Sequence, residues 1–409
     1  MNGVAIQRLV EFLGLRRSIV GMLLLAVFVG LGERLGERFL PIYLLALGGG
    51  DLAIGLLGGL NNLQNAIYSL YGGWLSDRLG YRRALLISNL VTIAGYLIVI
   101  ASPSWHSVIV GSVLFLAWSA ISMPATIGLV TAVLPAKQRT MGVSMHSLVR
   151  RVPMALGPAI GGILIDSLGV KDGVRIAFGI AIGLAIAALL VQWTLIAPPA
   201  ERESSLEDRR HPLRVLASVQ PALRGLLVSD ILIRFCEQIP YAFVVIWCMK
   251  SIAKPVSASE FGMLTAIEMA TALLVYIPVA YLADRAGKRP FVLTTFVFFT
   301  AFPLTLLFCH SFVPLVLAFV IRGLKEFGDA ARKALIVDLA PPDRKELVFG
   351  VYYFIRDTVV SLAALAGAWL WWIGPEVNLI AATAFGVVGT VGYALLGGET
   401  RDAARLRER

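Results

Sequence analysis

A helix needs about 20 residues to cross a hydrocarbon core, and apolar runs of that order recur along the whole chain with short polar interruptions. The pattern predicts membrane-spanning helices at roughly 18–46, 52–76, 84–102, 107–134, 147–168 and 174–196, and then at 224–249, 258–283, 290–309, 312–339, 347–373 and 376–397. None of these runs alternates apolar with polar positions, as the strands of a closed barrel would. The expected fold is therefore all-α and integral to the membrane, with twelve transmembrane helices. A single long polar stretch, rich in proline and charge, separates the sixth run from the seventh. It divides the chain into an N-terminal six-helix bundle (1–196), a linker (197–223) and a C-terminal six-helix bundle with a basic tail (224–409).

Composition strengthens the membrane reading. Of 409 residues, 58% are hydrophobic and 15% charged, and the mean hydropathy is +0.80; a soluble domain of this size has no means of hiding so much apolar surface. The formal net charge of +10 sits in short clusters between apolar runs, with no stripe of aromatics beside them, so it reads as topology and excludes nucleic acid as a partner. An even number of spans puts Arg8, Arg16 and Arg17, the loop with Arg78, Arg82 and Arg83, the linker and the arginine-rich tail on one side. The positive-inside rule makes that side cytoplasmic, although Lys171, Arg175, Lys250 and Lys254 fall opposite, and the plasma membrane is the expected location. The first run lacks the form of a cleavable signal, since it contains Glu33 to Arg38. Three cysteines in apolar runs and four scattered histidines form no disulfide framework, metal site or catalytic motif, so no cofactor, no metal and no enzyme activity are expected.

The halves repeat each other. GWLSDRLGYRR (Gly73 to Arg83) follows the second run and AYLADRAGKRP (Ala280 to Pro290) the eighth, with Asp77 and Asp284 separated by 207 positions. Arg150 and Arg356, at the expected starts of the fifth and eleventh spans, are separated by 206. Two matches at nearly one offset argue for duplication and hence for two pseudo-symmetric bundles. The Gly73 to Arg83 segment resembles the signature of the major facilitator superfamily, Gly-x-Leu-Ala-Asp-Arg-x-Gly-Arg-Lys/Arg, departing at Ser76 and Tyr81; the second copy has Ala280 in place of the first glycine. The resemblance spans essentially the whole chain and implies a two-bundle carrier working by alternating access.

It also implies a conformational latch on the cytoplasmic side, formed by Gly73, Asp77, Arg78, Gly80, Arg82, Arg83 and Arg150 and, in the second copy, by Asp284, Arg285, Gly287 and Arg356. Asp77 would face the positive end of a helix or pair with an arginine such as Arg150. A positive-inside turn alone accounts for the arginines but not for a repeated aspartate. In the fifth span, Gly157, Pro158, Gly161 and Gly162 resemble the GPxxGG motif of drug and proton exchangers, which implies an antiporter-type bend; Pro153 stands where that motif usually has a glycine. A glycine-rich packing face is the alternative for these residues.

Charges within spans are costly in hydrocarbon and mark function or pairing. In the first span Glu33 and Glu37 share a helix face, with Arg34 able to reach Glu37 at i+3 and Arg38 beside them. Two carboxylates so placed repel each other and burial favours the neutral form, so one is a candidate to bind and release a proton, Glu37 before Glu33; the alternative is simple pairing in a wet vestibule. Arg234 and Glu237 hold a comparable place in the seventh span, and Glu268 is the most isolated carboxylate. In the tenth span, Arg322 with Glu326 and Lys325 with Asp329 are spaced as i, i+4 pairs, and Arg322 and Lys325 are also candidates to attract an anion. Asn61, Asn65 and Tyr68 share a face of the second span and, with Trp118 and the arginines Arg34, Arg38 and Arg234, are candidates to line the substrate cavity. The fourth span lacks the arginine that proton-exchanging family members usually carry there. The expected protein is a monomeric secondary transporter in a lipid bilayer that exports a small organic solute in exchange for protons. The alternatives are an importer of an organic anion or nutrient, a non-transporting sensor, and a lipid flippase.

Overall fold

The computed structural model describes residues 17–116, 118, 126, 129–130, 133, 145–146, 148–196, 221–340 and 345–396, and within its helices the side chains of residues 65–66, 68–77, 221–222, 276–277, 280–281, 283–286, 345–347 and 396 lie outside the description. The regular structure of the described residues is helical throughout. In chain order the elements are α1 (Arg17–Glu37), α2 (Leu40–Ala46), α3 (Asp51–Ala101), α4 (Trp105–Phe115), α5 (Arg151–Leu168), α6 (Val170–Leu195), α7 (Pro221–Tyr241), α8 (Val244–Ile246), α9 (Ala258–Ala286), α10 (Lys288–Leu307), α11 (Phe312–Leu324), α12 (Asp329–Leu339), α13 (Lys345–Ile373) and α14 (Pro375–Leu396). Seven stretches of these are long and apolar enough to cross a membrane, and eight if Leu223–Tyr241 and its continuation Val244–Ser251, bent by 43°, count as one. Their outward faces are apolar: Trp193 is 77% exposed and Leu395 76%, as a lipid-facing surface requires.

Breaks fall where the local chemistry demands them. The expected first span is interrupted at Arg38 and Phe39, just before Pro41 opens α2 without needing an amide donor. The tenth is divided into α11 and α12 by a 3₁₀ stretch, Lys325–Gly328. Ser104 caps α4 by accepting from the Ser107 amide at 3.2 Å. Most of the expected fourth span, the linker from 197 to 220 and the tail from 397 lie outside the described residues.

Two compact units emerge. One consists of the described parts of Met1–Gly49, Gln64–Leu206 and Ser257–Ala266; the other of those of Gly50–Leu63, Glu207–Val256 and Ile267–Arg409. In the first, Ile19, Met22, Leu25, Tyr81, Leu85, Trp118 and Ala188 form a core, with Tyr96 stacked on Phe115 and Phe178 at 5.2 and 5.3 Å nearby. In the second, Leu226, Ile233, Phe296, Ile336, Tyr352 and Tyr393 do the same. Because lipid is as apolar as these cores, close packing rather than escape from water holds them together, at about 0.5–1.5 kcal/mol per well-placed ring pair.

The sequence repeat has a structural counterpart. Gly80 and Gly287, the glycines of the two DRxG loops, adopt the same backbone conformation (φ 76°, ψ 155° and φ 88°, ψ 148°), which a side chain would strain. Two residues after each, an arginine reaches a carbonyl near the end of its unit's last helix: Arg82 donates to Trp193 O at 3.2 Å and Arg289 to Ala394 O at 3.3 Å. A cation at a helix carboxyl end is favourably placed against its free carbonyls.

Candidate functional site

Charge in the first unit gathers on one turn of α1. Arg34 pairs with Glu37 across i, i+3 and stands 3.9 Å from Glu33, which is 2% exposed. Glu33 and Arg34 line a recess of about 440 Å³, its open mouth included; Thr126, His146 and Arg150 supply its other polar groups, and Trp118, Met22, Leu25, Leu85 and Met154 close it with apolar surface. Glu37 is not part of that lining.

The proline and glycines of α5 bring it against this turn. A methyl group on Gly157 would lie 2.5 Å from Arg34 Cβ, and one on Gly161 would overlap the Leu35 carbonyl oxygen. One on Gly162 would overlap the backbone of Ala258, and Gly262 meets Pro158 in the same way. At the far end of α5 the Asp166 carboxylate accepts from the Ala258 and Ser259 amides at 2.9 and 2.8 Å, capping α9 with a side chain remote in sequence. Asp166→Ala is expected to cost about 1 kcal/mol and to speed hydrogen exchange at those two amides; unchanged exchange there would refute the cap.

The second unit holds two chains of alternating charge. In the first, Arg234 donates to Glu237 at 2.5 Å, Lys325 Nζ lies 2.8 Å from Glu237 and 3.5 Å from Glu268, and Arg322 Nε lies 3.3 Å from Glu268. The rings of Tyr241, Phe302 and Phe319 surround the Arg322 guanidinium at 4.9–5.6 Å, and a smaller recess is lined by Glu237, Tyr241, Phe299, Phe302, Arg322 and Lys325. In the second chain, Asp230 accepts from Arg332 at 2.5 and 2.7 Å, from Tyr352 at 3.0 Å and from Arg356 at 3.4 Å. Asp329 pairs with Arg332 and Lys333, and Asp357 with Arg356. Alternation gives each buried charge an opposite neighbour, without which it would be prohibitively costly in this setting.

Several expectations change here. Arg356 is not at a helix start: α13 begins eleven residues earlier, about 16 Å at 1.5 Å per residue, and Arg356 is buried against Asp230. Arg150 immediately precedes α5, as expected, and stands in the recess wall with Glu33, after the helical turn that contains His146. On the tenth span, Arg322 pairs with Glu268 and Lys325 with Glu237 and Glu268, while Asp329 pairs with Arg332 and Lys333. The 3₁₀ stretch breaks the i, i+4 spacing that the sequence suggested.

Of the remaining candidates, Arg34 with Glu37 and Arg234 with Glu237 form matching i, i+3 pairs in the two units. Arg38 lies at the α1–α2 break, and Asn61 is partly buried in α3 next to Asn62, which donates to Gln238 at 3.1 Å. Arg78 and Arg83 are exposed. The side chains of Asn65, Tyr68, Asp77, Asp284 and Arg285, and the surroundings of Gly73, lie outside the described residues. Sequence reasoning passed over Asp166, Asp230, His146, Arg289 and Tyr352. Only Arg289 carried a visible signal, as the basic pair of the second DRxG copy.

A family model described as Major Facilitator Superfamily matches residues 22–250 and 226–409. An uncharacterized MFS-type transporter of Methanocaldococcus jannaschii is 22% identical over 365 residues, covering 85% of this chain and 87% of its own length. Quinolone resistance protein NorA of Staphylococcus aureus is 26% identical over 186 residues, 46% of each chain. Among solved structures, a bacterial homolog of the human lysosomal transporter Spinster superposes with a TM-score of 0.74 at 15% identity, over 93% of this chain and 96% of that one. A peptide transporter, POT, in complex with sulfate superposes with a TM-score of 0.76 at 13% identity, over 96% of both.

Proposed function

We propose, from the premise that this chain belongs to the Major Facilitator Superfamily and is thus a multi-pass membrane transporter and not an enzyme, that it exports small amphipathic organic solutes in exchange for protons. The observation that carries this reading is the seating of the GPxxGG helix on the charged turn of α1: Gly157 lies against Arg34, whose guanidinium Glu33 and Glu37 share. A proton on Glu33 removes one of the two attractions holding that guanidinium, so the charge state of the recess acts directly on the contact between α1 and α5. Glu33 lines the recess and Glu37 does not, so Glu33 is the coupling carboxylate in this scheme.

The named relative NorA supports a drug-like cargo and outward movement. Both termini are placed in the cytoplasm and the protein in the plasma membrane as a monomer, on the arginine distribution and the family's usual habit. The halves divide at 197–223, and Asp77 and Asp284 act as the latch residues. Uptake of an organic anion is the competing reading, favoured by Arg322 and Lys325 in the wall of the second recess. Reconstituted into liposomes with an imposed pH gradient, the protein is expected to show substrate-dependent proton flux that falls about tenfold or more in Glu33→Gln, a loss equivalent to about 1.4 kcal/mol. Flux undiminished in that variant would reject Glu33, and substrate movement with no proton flux would reject the coupling.

A further inference from the structure

We propose that Arg150 and His146 form a headgroup subsite in the first unit's recess, and that this subsite takes the carboxylate of a small amphipathic organic anion. The inference names the cargo class of the transporter proposed above and rests on that reading. His146 is 2% exposed and its Nδ1 has no hydrogen-bond partner among the described residues; Nε2 meets the Thr126 hydroxyl at 3.5 Å. The Arg150 guanidinium, in the same wall, likewise makes no hydrogen bond or ion pair among the described residues. The two residues are one helical turn apart, with the Arg150 amide donating to the His146 carbonyl at 3.0 Å, so both side chains project from one face.

Polar groups left without partners in a recess sheltered from bulk water are costly, and a cationic one more so. A ligand carboxylate relieves both. The planar guanidinium fork donates to two carboxylate oxygens side by side, and a neutral imidazole that accepts the Thr126 hydroxyl's hydrogen bond on Nε2 presents Nδ1–H as a further donor. Glu33 in the same lining disfavours a dianion, and Arg34 with Arg150 disfavours a cation, leaving a singly charged anion. Trp118, Met22, Leu25 and Met154 complete the lining with apolar side chains, against which the carbon next to the carboxylate packs.

Binding to the purified full-length protein in detergent, followed by ligand-induced thermal stabilisation, tests this without any gradient. The probes are 1-naphthoate, its neutral amide 1-naphthamide and the cation 1-naphthylmethylamine. Naphthoate is expected to bind at least about tenfold tighter than either analogue. That preference should be lost in Arg150→Gln, be reduced about threefold or more in His146→Gln, and persist in Lys171→Gln, an exposed site. On unaltered protein, the preference for naphthoate over naphthamide is itself a readout that needs no variant to fold. Equal binding of acid and amide, or wild-type affinity in Arg150→Gln, would overturn the proposal. Naphthoate binding without proton-linked transport would instead reject the coupling and leave the subsite standing; transport of neutral or cationic solutes without naphthoate binding would reject the subsite alone.

Discussion

Asp230→Ala is expected to destabilise the second unit by about 3–5 kcal/mol, the usual cost of removing one partner from a buried ion pair. Its carboxylate is 1% exposed and receives Arg332 twice, Tyr352 and Arg356. Without it, Arg332 keeps Asp329 and Arg356 keeps Asp357 as their acidic partners among the described residues, and two guanidiniums remain inside helices with too few acceptors. The comparison that isolates charge is Asp230→Asn, which keeps the volume and one acceptor; Tyr352→Phe, which removes one neutral donor, should cost about 1 kcal/mol. Thermal unfolding in detergent should rank the three with alanine lowest and phenylalanine mildest. An alanine variant as stable as Tyr352→Phe would mean that the network contributes no net stability.

Gly161→Val should abolish transport. A β-carbon at residue 161 would overlap the Leu35 carbonyl oxygen, with the Phe39 ring 3.3 Å away, so the obstacle is backbone that no rotamer change can clear. Overpacking of this kind costs about 1–3 kcal/mol or more, and here it forces α5 off the turn of α1 that carries Glu33, Arg34 and Glu37. Gly179→Val provides the control, since nothing lies within 4 Å of a β-carbon there. Both variants should insert into the membrane, with transport lost by about tenfold or more only at residue 161. Near-normal transport in Gly161→Val would show that α1 and α5 can separate without loss of the cycle.

Much of the fold was legible because a membrane imposes long uninterrupted apolar runs, and because a duplicated DRxG loop needs a glycine in the same unusual conformation in both copies. The i, i+3 pairs on α1 and α7 were legible for a similar reason: their partners are fixed by helix geometry within four residues. Asp230 was not, since it sits in an ordinary apolar stretch and its partners are 102 to 126 residues away on helices whose rotation the sequence does not state. Arg356 was misread for the opposite reason. The repeat offset located its equivalent correctly but carried no information about how far its helix extends beforehand. On the tenth span, regular α spacing does not continue across a segment that tightens to 3₁₀, and Arg322, Lys325 and Asp329 take other partners. His146 lacked any periodic or motif signal, and only the shape of the recess draws attention to it.

Neither compact unit is a continuous length of chain, and this bears on how the protein is made. Residues 50–63 belong with the second unit, where Gly55, Gly58 and Gly59 lie against Ser361, Ala364 and Ala368, while residues 257–266 complete the first. At about 5–20 residues per second of synthesis, the start of α3 waits roughly 15–60 s before the α13 surface it packs on has been translated. During that interval the surface that its glycine face packs on does not yet exist, and the first unit stays unfinished until translation has passed residue 266.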